Sequence, residues 1–270
     1  MKISVVTVCY HVVQEIEKTI LSVLGQTYPD IEYIVIDGGS MDGTLDVIKK
    51  YEDKISYYVS EPDGGIYDAM NKGIKVATGE WINFLNAGDC FYNSRSVEDV
   101  FSNNISSEVD VVYGYQVHSY TYGKYIRKQL PLSSFYKGMP FGHESSFVRA
   151  SVMKRIGFDV NYRIAADYHF FFNLYASGSK FQPVDAIVTD FESMNGISSS
   201  MRTALLAFRE FSMVNGNIET TQYKKGVLSL YIRNSIKRFI SLFSKDIVME
   251  QQRKQRERNE EFIPLERFVL

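Results

Sequence analysis

The 270-residue sequence holds only two cysteines, Cys9 and Cys90, too few for a disulfide framework and without metal-ligand spacing. Both fall in apolar or turn contexts, so spectator thiols are expected. No window reaches the roughly 18 apolar residues that a spanning helix needs. The first residues lack a charged n-region, an apolar h-region and a cleavage site. These absences predict a cytoplasmic protein, at most peripheral to the inner face of the cell membrane. With a net charge of −2, no global field gathers nucleic acid. Internal repeats are missing as well. So is a Gly-rich phosphate loop with Arg or Lys after the first strand, where Cys9-Tyr10-His11 stands, which argues against a nucleotidyltransferase.

What is present is an ordinary globular composition, 45% apolar and 23% charged, enough for a large core. Charge is unevenly placed: from Lys224 to Arg258 ten Lys/Arg face three Asp/Glu, a balance of +7 against −9 elsewhere. Apolar β-branched runs at 2–8 and 31–36 read as buried strands, each followed by apolar residues at helical spacing. A shorter strand near 57–59 leads to Ser60-Glu61-Pro62-Asp63-Gly64-Gly65 and a helix over 66–74. Strand and helix alternating in this way predict βαβ units and a parallel sheet.

The organising stretch is Trp81-Ile82-Asn83-Phe84-Leu85-Asn86-Ala87-Gly88-Asp89, a central strand that ends in an amide and a carboxylate. In open α/β sheets ligands sit beyond the carboxyl ends of the strands. Oxygen ligands there suit Mg²⁺ or Mn²⁺ together with a diphosphate, although Asn-Ala-Gly-Asp also has the composition of a plain turn. The second strand ends at Asp37, whose carboxylate can accept from a base or ribose while Gly38 and Gly39 let backbone approach closely.

These parts in this order resemble an inverting glycosyltransferase of family 2, of the bacterial surface-polysaccharide type, with the GT-A fold. The resemblance rests on Thr7-Val8-Cys9-Tyr10, Asp37-Gly38-Gly39-Ser40-Met41-Asp42-Gly43-Thr44, the helix running to Gly79, and Phe84-Leu85-Asn86-Ala87-Gly88-Asp89. It implies a Rossmann-like, mostly parallel sheet flanked by helices, and a nucleotide-sugar donor. Donor contacts would come from Thr7, Cys9, Tyr10, Asp37, Gly38, Asp68, Asn71, Asn86 and Ala87, with Asp89 holding Mn²⁺ or Mg²⁺. Two departures are visible: Asn86 replaces the first Asp of the usual Asp-x-Asp motif, with Gly88 as an added spacer, and Met70 stands where Arg is frequent. These departures motivate the alternative of a non-catalytic sugar-nucleotide-binding or scaffold protein.

Farther along, residues 115–118 and 124–127 read as a hairpin. The tyrosines between 113 and 141 suit either a sugar platform or half-buried strands. His143 precedes an apolar strand, and the resemblance places such a histidine near the diphosphate or the acceptor. Asp167 opens an aromatic helix; by pattern it is a cap, and by resemblance it is the general base. A Gly/Ser-rich loop over 190–200 could close over the donor or serve as an ordinary connection. Residues 1–200 are therefore read as the catalytic domain and 201–270 as a helical extension. In that extension an apolar stripe beside basic residues suits an anionic membrane, packing on the catalytic domain, or a homodimer. Residues 262–265 would need a partner surface. The expected activity is metal-dependent transfer of a sugar, from a UDP-sugar first of all, to a saccharide or lipid-linked saccharide hydroxyl.

Overall fold

The computed structural model describes residues 1–192, 201–218, 220–241, 245–258 and 262–268. It begins with β1 (Ile3–Cys9), α1 (Ile16–Leu24), β2 (Ile31–Asp37), α2 (Thr44–Lys49), β3 (Tyr57–Ser60), α3 (Ile66–Val76) and β4 (Trp81–Phe84). β1 pairs in parallel with both β2 and β4, and β2 pairs in parallel with β3. All seven residues of β1 are buried. A parallel strand covered by helices on both faces must read as a continuous apolar run. Alternate residues feed two cores: Ile3 and Val5 enter the one built with α1 and Trp81, while Val6 and Val8 enter the one built with α3, Phe170 and Phe171.

The chain continues with β5 (Cys90–Phe91), α4 (Ser96–Phe101), β6 (Val111–Tyr120), β7 (Gly123–Arg127), β8 (Ser146–Arg149), α5 (Ala150–Ile156), α6 (Ala166–Ala176) and β9 (Phe181–Glu192). The sheet order is β7-β6-β8-β4-β1-β2-β3, with β9 beside β6 and the C-terminal strand β10 (Phe262–Pro264) outside β7. The parallel expectation holds from β3 to β4. Beyond β4 the sheet is mixed, because β8 runs antiparallel to both β4 and β6. The two-residue connection from β6 to β7 also permits only an antiparallel pair. β9 extends through Asp190, so the expected loop begins later, and its residues 193–200 lie outside the described ones.

α7 (Met201–Val214), α8 (Thr221–Ser241) and α9 (Lys245–Arg258) make the expected helical extension, and it returns to the sheet. Tyr168 of α6 stacks on Phe211 of α7 at 4.3 Å. β10 (Phe262–Pro264) pairs antiparallel with β7, so the partner surface that residues 262–264 require is supplied by the chain itself. Among the described residues no helix is long and apolar enough to cross a membrane.

α3 lies close on β1 because Gly73 carries no side chain; a Cβ there would fall 2.4 Å from Val6 Cγ1. Gly73→Ala should therefore overpack this contact and lower stability by about 1–3 kcal/mol. The check is the urea midpoint, expected to fall with an unchanged slope.

Candidate active site

The parallel register places the ends of β1, β2 and β3 on one edge, with Cys9 opposite Asp37 and Asp37 opposite Ser60. After β4 the chain keeps to this edge, since Leu85 N–H donates to Val6 O at 3.0 Å and Ala87 N–H to Val8 O at 3.2 Å. Asn86-Ala87-Gly88-Asp89 then turns sharply. Asp89 N–H closes the turn on Asn86 O at 3.0 Å, and Gly88 takes a φ of +106° that glycine adopts without strain. Buried Thr19 of α1 clamps the turn, accepting from Gly88 N–H at 3.0 Å and donating to Asp89 O at 2.8 Å.

At the other end of the cleft, Tyr10 is 60% exposed and rests edge-on against His11. His11 has φ +53°, a left-handed conformation uncommon outside glycine, and Ser40 Oγ pins its N–H at 2.8 Å. Gly38 is enclosed: a Cβ would meet Asp63 Oδ2 at 2.7 Å and Tyr10 Cδ2 at 3.1 Å. Tyr10, Gly38 and Asp63 thus form one wall at the strand ends. Asp63 and Asp68 shape the adjoining loop, accepting from Gly65 N–H at 2.8 Å and Gly64 N–H at 3.0 Å respectively.

Several expected donor contacts have internal partners. Thr7 is fully buried, donating to Leu85 O at 2.8 Å and accepting from the Tyr33 hydroxyl at 3.1 Å. Cys9 is buried against Asp37, and desolvation, reinforced by that carboxylate, pushes its thiol far up, so it stays protonated. Asp37 is fully buried and accepts from Ser40 N–H, Ser40 Oγ and Ser60 Oγ, which makes it the organiser of the loop. Asn71 exchanges two hydrogen bonds of 2.8 Å with the backbone of Phe158, locking α3 to the segment after α5. For Thr7, Cys9 and Asp37 the reason is common: side chains near the ends of strands buried on both faces meet the core as well as the cleft, whereas Asn71 is taken up by packing of α3 on the segment after α5. Tyr113 and Tyr125 are likewise core residues, Tyr113 stacking on Phe141 at 4.2 Å.

Asp167 lies in the first turn of α6, and the helix has Ala165 at its N-cap position with no side-chain cap bond. Asp167 is thus not the N-cap residue, although in the first turn its carboxylate meets the Tyr168 N–H. Its Oδ1 is 3.0 Å from the Tyr67 hydroxyl and its Oδ2 is 3.7 Å from His143 Nδ1, and the side chain keeps 24% exposure. Burial raises the Asp167 carboxyl above its ordinary range, and His143 opposes that shift. His143 is buried among Phe84, Phe158 and Phe171, and its Nε2 has no hydrogen-bond partner among the described residues. A buried polar atom left unpaired is expensive to keep.

Asn86 Oδ1 is, among the described residues, a second buried acceptor without a partner, and Asp89 ends the same turn. Two hard oxygens suit Mg²⁺ or Mn²⁺, and no group of three His, Cys, Asp or Glu able to hold a metal occurs among the described residues. The donor set therefore fits a cation whose shell is completed by phosphate and water. Beside Gly88 opens a cavity of about 400 Å³, bounded by Lys18, Cys90, Ser119, Tyr120 and Asp190.

This fold and this edge define an α/β domain of the GT-A type. The sequence profile of "Glycosyl transferase family 2" matches residues 4–172, and the chain belongs to that family. An uncharacterised glycosyltransferase of Mycobacterium tuberculosis is 34% identical over 177 residues, covering 62% of this chain and 66% of the relative. The match thus leaves about a third of that relative's length uncovered. Among solved structures, S. aureus TarS 1–349 in complex with UDP-GlcNAc aligns with a TM-score of 0.64 at 19% identity, over 86% of this chain and 72% of TarS. Mannosyltransferase PcManGT of Pyrobaculum calidifontis, in complex with GDP-Man and Mn²⁺, aligns at 0.63 with 17% identity, over 85% and 68%.

Sequence reading passed over Tyr67, Asp63, Thr19 and Glu210; only Asp63 had a local signal, in Glu61-Pro62-Asp63-Gly64. An Asp whose folded pKa is raised binds its proton more tightly than the unfolded chain does, so its ionisation opposes folding above that pKa. Asp167→Asn should accordingly melt at least as high as the parent at pH 7. The difference should close as pH falls toward the ordinary carboxylate range near about 4. Thermal scans across pH read both limits.

Proposed function

We propose that this chain is an inverting, metal-dependent hexosyltransferase, moving a sugar from a nucleotide-sugar, first of all a UDP-sugar, to an acceptor hydroxyl. The observation that carries this reading is the single carboxylate of Asp167, raised by burial yet still partly open, beside the unpaired His143 Nε2. The complexes of TarS with UDP-GlcNAc and of PcManGT with GDP-Man and Mn²⁺ support a nucleotide-sugar donor and a divalent cation. The acceptor is read as a saccharide or lipid-linked saccharide of surface-polysaccharide assembly. The cavity beside Gly88, with Ser119 and Tyr120 in its wall, offers it hydroxyl and aromatic contacts.

In this mechanism Tyr10 stacks on the base, and Gly38 and Asp63 bound the nucleoside. Asn86 and Asp89 would hold the cation. When bound, it neutralises the charge that develops on the departing diphosphate. Asp167 accepts the acceptor's hydroxyl proton as that oxygen attacks the anomeric carbon from the face opposite the leaving group. The transition state has oxocarbenium character, and no covalent sugar–enzyme intermediate is required. His143 Nδ1 faces Asp167 Oδ2 at 3.7 Å, and His143 presents Nε2 to a substrate oxygen.

Calorimetric titration of UDP, GDP, TDP and CMP with Mn²⁺ and then with EDTA tests the donor site: one nucleotide should bind, and only with metal. Asp89→Ala should weaken that binding at least tenfold. Asp167→Asn should keep it and reduce transfer by more than a hundredfold, the scale of a lost general base. Binding without transfer across a panel of acceptors would favour the non-catalytic donor-binding reading.

Residues 201–270 are read as an extension that also contacts an anionic membrane. In α8, Leu228, Tyr231 and Ile232 are 60%, 51% and 50% exposed, and Lys224 and Lys225 are exposed beside them. Replacing the three apolar residues by Ser should abolish flotation with anionic vesicles. An unchanged partition would remove this face from the membrane, and a change in oligomeric state would assign it to a dimer.

A further inference from the structure

The Tyr67 hydroxyl of α3 stands between two acceptors, Ile164 O at 2.7 Å and Asp167 Oδ1 at 3.0 Å. A phenol has one proton to donate, so the two oxygens compete for it. The Ile164 peptide is held from the other side. Glu210 of α7, only 5% exposed, accepts from the N–H groups of Arg163, Ile164 and Ala165, each at 2.9 Å. Three successive N–H groups around one carboxylate form an anion-filled nest. The helical extension thereby fixes the turn that leads into α6.

We propose that Tyr67 is a proton-following positioning residue for the base, with Glu210 fixing its second acceptor. While Asp167 is ionised, the Tyr67 hydroxyl donates to Oδ1 and holds the carboxylate in place. When Asp167 takes the acceptor's proton it becomes the poorer acceptor, and the Tyr67 hydroxyl turns to Ile164 O without movement of heavy atoms. The proton balance is simple. One proton leaves the attacking hydroxyl for Asp167, and Tyr67 keeps its own throughout. Burial and the neighbouring carboxylate hold the Tyr67 phenol well above its usual range, so it does not ionise in the cycle. This inference rests on the reading of Asp167 as the base.

The groups that face Asp167 are His143 and Glu144 before β8, Tyr67 from α3 and the Tyr168 N–H of its own helix, with Glu210 of α7 behind the adjoining turn. Of these, Tyr67 favours the ionised form and can be removed almost isosterically as Tyr67→Phe. Losing a hydrogen bond to a charged group should move the Asp167 midpoint up by about one pH unit. Carboxyl-¹³C aspartate NMR, with the resonance assigned by Asp167→Asn, reads that midpoint in the free protein. The acid limb of kcat/KM should move with it, and kcat/KM below the limb should fall about tenfold.

Should Tyr67→Phe fail to fold, the parent protein still decides. The Tyr67 Cζ resonance should titrate with the Asp167 midpoint and lose that step in Asp167→Asn. A folded Tyr67→Phe with unmoved midpoint and limb, or a Cζ resonance flat across the titration, overturns the proposal. Undiminished transfer by Asp167→Asn overturns the base reading itself, which separates the two failures.

Discussion

The site depends on the parallel ladder of β1 with β2 and β4. Because the three strands share direction and register, their carboxyl ends fall together, and Cys9, Asp37 and the Asn86–Asp89 turn become neighbours although they are distant in sequence. The ladder is itself made possible by burial of both faces, which forces the apolar runs of β1 and β4. Gly73 completes the arrangement by letting α3 approach Val6. α3 then carries Asp68 to the loop at Gly64 and Tyr67 to Asp167, so one close helix–sheet contact positions both.

Burial at this edge has two consequences of opposite kind. Where polar groups are paired, it makes them structural: Thr7, Cys9, Asp37 and Asn71 all have internal partners. Elsewhere it leaves polar atoms unmatched: among the described residues Asn86 Oδ1 and His143 Nε2 lack partners, and the Asp167 carboxyl, though paired with Tyr67, is raised by desolvation. An unpaired buried polar atom costs about 1–3 kcal/mol. Folding tolerates that cost here because the surrounding aromatic core is extensive, with Phe84, Phe158, Phe170 and Phe171 packed against one another and His143.

The helical extension belongs to this arrangement. Glu210 supplies the anion for the turn before α6, Phe211 stacks on Tyr168, and β10 covers the β7 edge that would otherwise expose unpaired backbone groups. Arg256 lies 4.0 Å from the Phe262 ring centroid and 4.8 Å from that of Tyr120, which ties α9 to the same edge. His118 beneath it is pushed down to about 3, by burial first and by Arg127 and Arg256 next, and so stays neutral. The basic surplus of this stretch thus has some structural employment beyond solvation.

How much of this was legible in the chain follows from the range of the interactions. Apolar periodicity and glycine placement act over a few residues, and they alone determined the βαβ order, the central strand, the turn at Gly88, the β6–β7 hairpin and the helical extension. Family motifs then marked Asp89, His143 and Asp167. Tertiary structure decided what no local pattern contains: which strand-end side chains face the core, as Thr7 and Asp37 do, and which distant groups meet. Tyr67 and Asp167 lie 100 residues apart, and Arg163 and Glu210 lie 47 apart. Their pairing is set by how α3, α6 and α7 pack. A hydrogen bond between such residues leaves no trace in spacing, because its geometry is created only when the sheet and its helices close around it.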